Sequence, residues 1–187
     1  MDVTGAVIGV VQAAGGTLYG RTTLQKLVYF AAFKGLISAR FRPHYYGPYS
    51  EEVASAVDAL SANGFLSEET KLLGPQMDPW LLDVAGNAKA YAYSLPPDGE
   101  SLAQQVKRES PREWREIEKL VGMCREHAKL SPGILATAAK VHYILSQGTR
   151  SMDEAEITRT ATEFGWKLTE GQIIQVARLL RELGLVR

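Results

Sequence analysis

Apolar residues recur at helical spacing in several separate stretches of the chain. Leu24, Leu27, Val28 and Ala31 fall at i, i+3, i+4 and i+7, the pattern that buries one helix face. Thr22 or Thr23 can cap that helix, because a threonine oxygen accepts an orphan backbone N–H, and Gly35 ends it. Val53, Ala56, Val57 and Leu60 repeat the spacing. Ser50 is a suitable cap there, Glu51 and Glu52 suit the positive end of the dipole, and Asn63-Gly64 is a stop. Residues 3–13 predict a first helix ending at Gly15-Gly16, and Thr17-Leu18-Tyr19 a short strand. Phe65-Leu66 and Trp80-Leu81-Leu82-Asp83-Val84 read as two strands around a polar loop, with a further short helix from Ala85 to Tyr93.

The second half is helical throughout. "SLPPDG", residues 94–99, reads as a linker. Trp114, Ile117, Leu120, Val121 and Cys124 then share a face, with Ser110 as cap and Pro111 in the first turn. Ser131-Pro132 opens a helix buried through Ile134, Leu135, Ala138, Val141 and Leu145. Asp153 caps another to about Phe164. Thr169 caps the last, which carries Ile173, Val176, Ala177, Leu180 and Leu183 and stops at Gly184, where Leu185-Val186 could begin a strand. The order helix, strand, helix, helix, strand, loop, strand over residues 1–85 is that of a winged helix-turn-helix. The fold class is therefore mainly α with a small β-wing. A winged-helix-like domain occupies 1–95, a helical linker 96–130, and a small three-helix, helix-turn-helix-like domain 131–187.

Composition narrows the function. The 187 residues carry 21 basic and 21 acidic side chains, without the basic surplus of proteins held on DNA by phosphate contacts. Cys124 is the only cysteine, which excludes an internal disulfide or a multi-cysteine zinc site. No stretch reaches the length of a membrane helix and no signal peptide is evident, so a cytoplasmic protein with no membrane partner is expected. Charge is unevenly placed, however. Residues 3–50 hold five basic residues and no acidic one, whereas 51–95 hold two basic against seven acidic.

"GRTTLQKLVYF" followed by "HYYGPYSEEVASAVDALSANGFL", over residues 20–66, is similar to the YwgA-type proteins and to the Panacea domain of SocA-like antitoxins. Gly20, Arg21, Thr22, Leu24, Gln25, Lys26, Leu27, Tyr29, Phe30, Tyr46, Gly47, Pro48 and Tyr49 carry the resemblance. It covers the first half of the chain. Panacea domains neutralise toxins by binding them and carry no established enzyme activity, so the resemblance implies a protein-binding role.

The helix after Ser50 occupies the recognition position of a helix-turn-helix, yet it would expose Glu51, Glu52 and Asp58, which repel phosphates. Arg21 and Lys26 either pair with these acids or belong to a partner-binding patch. Arg40, Arg42, His44, Tyr45 and Tyr46 are compact in sequence, and tyrosines on a rigid Gly47-Pro48 turn are either core or interface anchors. The last helix exposes Gln172, Gln175, Arg178 and Arg181, side chains better suited to DNA. His44, His127 and His142 lack metal-ligand spacing, Cys124 lies on an apolar face, and no phosphate loop or nucleophile elbow occurs. No metal, cofactor or catalytic residue is expected.

The reading that follows is a non-enzymatic regulatory or antitoxin-like module that binds another protein, a toxin or a regulatory partner. Arg21, Lys26, Tyr45, Tyr46 and Tyr49 are its expected contacts, with Arg40 and Arg42 at the rim. The alternative is a winged-helix transcription regulator, a homodimer contacting DNA through Gln172, Gln175, Arg178 and Arg181.

Overall fold

A computed structural model describes residues 1–72, 89–148 and 150–186. Its elements run α1 (Val3–Ala13), β1 (Thr17–Tyr19), α2 (Arg21–Phe33), α3 (Glu51–Ala62), β2 (Ser67–Leu72), β3 (Lys89–Ser94), α4 (Pro97–Glu109), α5 (Pro111–Ala128), α6 (Pro132–Gln147), α7 (Glu154–Glu163) and α8 (Glu170–Glu182). The three strands form an antiparallel sheet in the order β1-β3-β2, with Leu18 opposite Tyr93 and Glu68 also opposite Tyr93. The fold is mainly α with a small wing-like sheet, as the pattern predicts.

Most helix starts follow from local chemistry. The side chains of Asp2, Ser50, Ser131, Asp153 and Thr169 each accept a backbone N–H of the first turn. Asp153 with Glu156, and Thr169 with Gln172, complete reciprocal capping boxes. Three helices lack such a bond: α4 and α5 start at prolines, with the expected Ser110 cap making none, and the third is α2. Its cap is Gly20 rather than a threonine, at φ +89°, a conformation that favours glycine. The Gly20 N–H donates to Tyr91 O at 2.7 Å, which ties the start of α2 to the sheet.

Three further local expectations are corrected. Residues 89–94 form a strand, because β3 finds hydrogen-bonding partners on both sides and this pairing overrides the helical leaning of an alanine-rich segment. Phe65 and Leu66 form the turn out of α3, and β2 begins at Ser67. Pro97, Asp98 and Gly99 are the first turn of α4 rather than linker. At Gly99 an added Cβ would lie 2.1 Å from Phe65 O, so the close approach of α4 to that turn needs glycine. The strand predicted at Trp80–Val84 lies outside the described residues. Leu185-Val186 adopts no strand.

Helix α1 is buried without a break from Gly5 to Val11, the signature of a helix covered on all sides. Its neighbours are α2, α3, α4 and α5. Helix α6 in turn packs on α2, α7 and α8. A single apolar cluster runs through Val7, Leu27, Ile117, Val121, Leu135 and Leu180, so packing is continuous across residues 95 and 130. No described helix is long and apolar enough to cross a membrane.

Candidate functional site

The connection between α2 and α3, residues 34–50, has little regular structure but is held at many points. The backbones of Arg42 and Tyr49 pair through two hydrogen bonds of 2.9 and 3.0 Å. Within that bracket, Gly47 N–H donates to His44 O at 2.9 Å. Gly47 sits at φ +91°, and an added Cβ would lie 3.1 Å from Lys140 Cγ and 3.4 Å from both Lys26 Cε and Ala136 O. Three buried side chains grip the loop from outside. Lys26 Nζ donates to Pro48 O at 2.7 Å. The Gln25 amide donates to Ser50 O and accepts from Ser50 N, both at 3.0 Å. From the far end of the chain, Trp166 Nε1 donates to His44 O at 2.7 Å.

This corrects one expectation. Lys26 is 2% exposed and does not face a partner. Burial, and then the charge of Lys140, pulls its pKa down to about 7. Lys140, also buried, is shifted in the same direction by burial, and its Nζ lies 5.7 Å from the Trp166 ring. The Gln25-Lys26 step is therefore the loop's internal support.

What the clamp presents is aromatic and cationic. Tyr45 is 73% exposed and Tyr46 42%, their rings edge-to-face at 4.8 Å. Tyr49 is half-buried, its ring 5.2 Å from that of His44. Arg42 reaches Glu51 at 3.4 Å and Arg40 reaches Glu52 at 4.0 Å, both on the surface. Opposite charges between the loop and α3 thus meet, but through Arg40 and Arg42 rather than through Arg21 and Lys26.

Arg21 belongs to a different neighbourhood, against the sheet. It donates to Glu68 at 2.6 Å and to the Tyr93 hydroxyl at 3.2 Å, and its guanidinium lies 3.9 Å above the Tyr91 ring. Burial, reinforced by the Glu68 charge, raises the Tyr93 pKa and keeps the phenol protonated. Tyr45 and Tyr46 therefore sit together at the tip, Arg40 and Arg42 of the same loop lie against Glu52 and Glu51 of α3, and Tyr49 links the loop to the Arg21 site.

On α8, Gln172, Gln175, Arg178 and Arg181 are all exposed. Two of them have internal duties: Gln172 closes the capping box with Thr169, and Arg181 Nε donates to Ala177 O at 3.3 Å. On α3 the outward residues Glu51, Glu52 and Asp58 are exposed as the spacing predicts.

Other titratable groups are enclosed. The Tyr29 hydroxyl, kept protonated by burial, is hydrogen-bonded to His142 Nδ1 at 2.7 Å. Burial pushes the His142 pKa down to about 4, so the ring stays neutral. The Cys124 thiol is pushed up to about 12 by burial. Among the described residues no group of three His, Cys, Asp or Glu side chains could hold a metal ion.

Gln25, Lys140 and Trp166 were not identifiable as parts of the site from spacing alone. The one sequence signal was polar Gln-Lys in the middle of an otherwise apolar helix, "LQKLVYF".

The fold and the clamped loop define a mainly helical chain with a wing-like sheet and a preformed surface tip. No family model matches the sequence. It is similar to the uncharacterized protein YwgA of Bacillus subtilis (strain 168), 29% identical over 97 residues that make up 51% of this chain and 51% of that protein. The chain thus spans about half the length of the curated relative it matches. The likeness supports a YwgA-like relationship over that portion.

Proposed function

We propose that this chain is a non-enzymatic regulatory module that binds another protein through the tip at Tyr45 and Tyr46. One observation carries the reading: two adjacent exposed tyrosines on a backbone fixed by hydrogen bonds from the buried side chains of Gln25, Lys26 and Trp166. Tyrosine supplies large contact area at low entropic cost, and a loop already held in place has little ordering left to lose on binding. Arg40 and Arg42 at the rim would set orientation and association rate. The antitoxin-like form of this reading rests on the resemblance of residues 20–66 to Panacea domains, and the partner would then be a toxin.

The test is partner capture from native cells by the chain and by the Tyr45→Ala/Tyr46→Ala variant. Specific capture by the first alone, with unchanged circular dichroism, supports the reading. Equal capture by both overturns it.

A second reading is favoured by the outward face of α8, where Gln172, Gln175, Arg178 and Arg181 are exposed together. In this reading the chain is a DNA-binding regulator working as a homodimer. Retention on duplex DNA that falls steeply between about 50 and 200 mM salt, and is lost on Arg178→Glu/Arg181→Glu substitution, would support it.

A further inference from the structure

Behind Tyr49, a cavity of about 150 Å³ opens between α2, α3 and the sheet. Leu24, Ala54 and Val57 give it apolar walls, and Asp58, Glu68 and Arg21 carry its charge. Arg21 is already taken up by Glu68, Tyr93 and the Tyr91 ring. The Gln25 amide is committed to Ser50. Asp58, by contrast, is exposed and makes no hydrogen bond or ion pair with any described residue. The Tyr49 hydroxyl reports the resulting field. Burial comes first in holding it protonated, the negative charges of Glu51 and Asp58 add to this, and Arg21 opposes them.

Among the described residues the mouth is therefore net negative, its one cation, Arg21, is neutralised, and its walls are apolar. That combination suits a positive head on an aliphatic stem, which can leave its methylenes against Leu24 and Val57 while the charge reaches Asp58. The size decides what kind of molecule carries it. Pockets for free small molecules run to about 300–1,000 Å³, and this one is well below that range, close to the volume of one long side chain. Tyr49 lines the cavity, and its backbone pairs with Arg42 in the same loop that bears the exposed tyrosines.

We infer that this cavity receives a lysine or arginine side chain of the protein partner, beside the contact made by Tyr45 and Tyr46. The inference rests on the proposed protein-binding function and names the chemistry the partner must present there.

The probe is N-acetyl-arginine amide, with N-acetyl-lysine amide as a second cation and N-acetyl-glutamine amide as the neutral control. Each is titrated into the full chain and followed by heteronuclear NMR. Both cations should give saturable shifts at millimolar concentration in the amides around Tyr49, Asp58, Glu68 and Tyr93. Asp58→Asn, an exposed substitution, should weaken this binding roughly tenfold, as expected for loss of one charge-assisted hydrogen bond. No saturable shift, equal response to the glutamine control, or unaltered binding in Asp58→Asn would overturn the inference. The tyrosines of the tip do not line the cavity, so Tyr45→Ala/Tyr46→Ala should still bind the probes. Partner capture lost in that variant with no probe binding would leave the tip reading standing and sink the cavity. Probe binding with capture indifferent to the tyrosines would do the reverse.

Discussion

The loop of residues 34–50 and helix α8 both display side chains of the kind that make interfaces, but they are held in opposite ways. Helix α8 owes its form to itself: its own capping box, its own i→i−4 ladder and one buried face. Its outward side chains are long, and Arg181 folds back on its own backbone. The loop has almost no form of its own. It is shaped by donors from α2 and from the segment between α7 and α8, and its exposed rings are short and stiff. Rigid aromatics on a braced backbone lose less entropy on binding than mobile cations on a helix. Exposure alone ranks the two faces equally, whereas the bracing separates them.

The largest break in this comparison should come from Trp166. Removing its ring as Trp166→Ala is expected to cost about 3–5 kcal/mol by denaturant unfolding, as for other large core deletions. Trp166→Phe keeps most of the packing and removes one of the two donors to His44 O, which still accepts from the Gly47 N–H, for a loss of about 1 kcal/mol. In that variant hydrogen exchange should quicken at 44–49 while α8 stays protected. Equal loosening of both would show that the bracing is not specific to the loop.

Gly47→Ala comes next. It forces an L side chain to φ +91° and pushes a Cβ toward Lys140 and Ala136, so a loss of about 1–3 kcal/mol is expected. Helix α8 should not respond.

Lys26 sharpens the comparison through pH. Its folded pKa, about 7, lies below that of a free lysine. Between those values the unfolded chain holds a proton that the folded chain lacks, so stability rises with pH from about 7 upward. The penalty is fully present below pH 7. The slope from this group is at most about 1.4 kcal/mol per pH unit. Lys26→Met should flatten the rise measured between pH 7 and 9. Lys140, shifted in the same direction, leaves a residual slope. An identical profile in the variant would contradict the placement of Lys26.

The smallest stability effects belong to the displayed residues themselves. Tyr45→Ala/Tyr46→Ala and Arg178→Glu/Arg181→Glu should each stay within about 0.5 kcal/mol per site of the parent chain, as exposed substitutions do. A larger loss for the tyrosines would assign them to the fold.

Much of this architecture is legible from local pattern. Ser50, Ser131, Asp153 and Thr169 announce their helices because a cap and its N–H lie three residues apart. The outward acids of α3 follow from the same periodicity. The bracing does not, because its partners are remote: Gln25 and Ser50 are 25 positions apart, and Trp166 and His44 are 122 apart. Lys26 reads as a surface cation for the same reason, since nothing local shows that Pro48 O will lie beside it. Strand β3 escaped because "AKAYA" favours a helix until two neighbouring strands claim its backbone.

The burial of α1 has a consequence in time. Residues 3–13 are made well before α5, one of the helices that covers them, which spans 111–128. At about 5–20 residues per second, roughly 5–20 s of synthesis separate the two. During that interval the most apolar helix of the chain lacks one wall of its housing. A helix that the finished protein encloses from Gly5 to Val11 is thus one the ribosome must leave waiting, and its apolar surface sets how much early company the nascent chain needs.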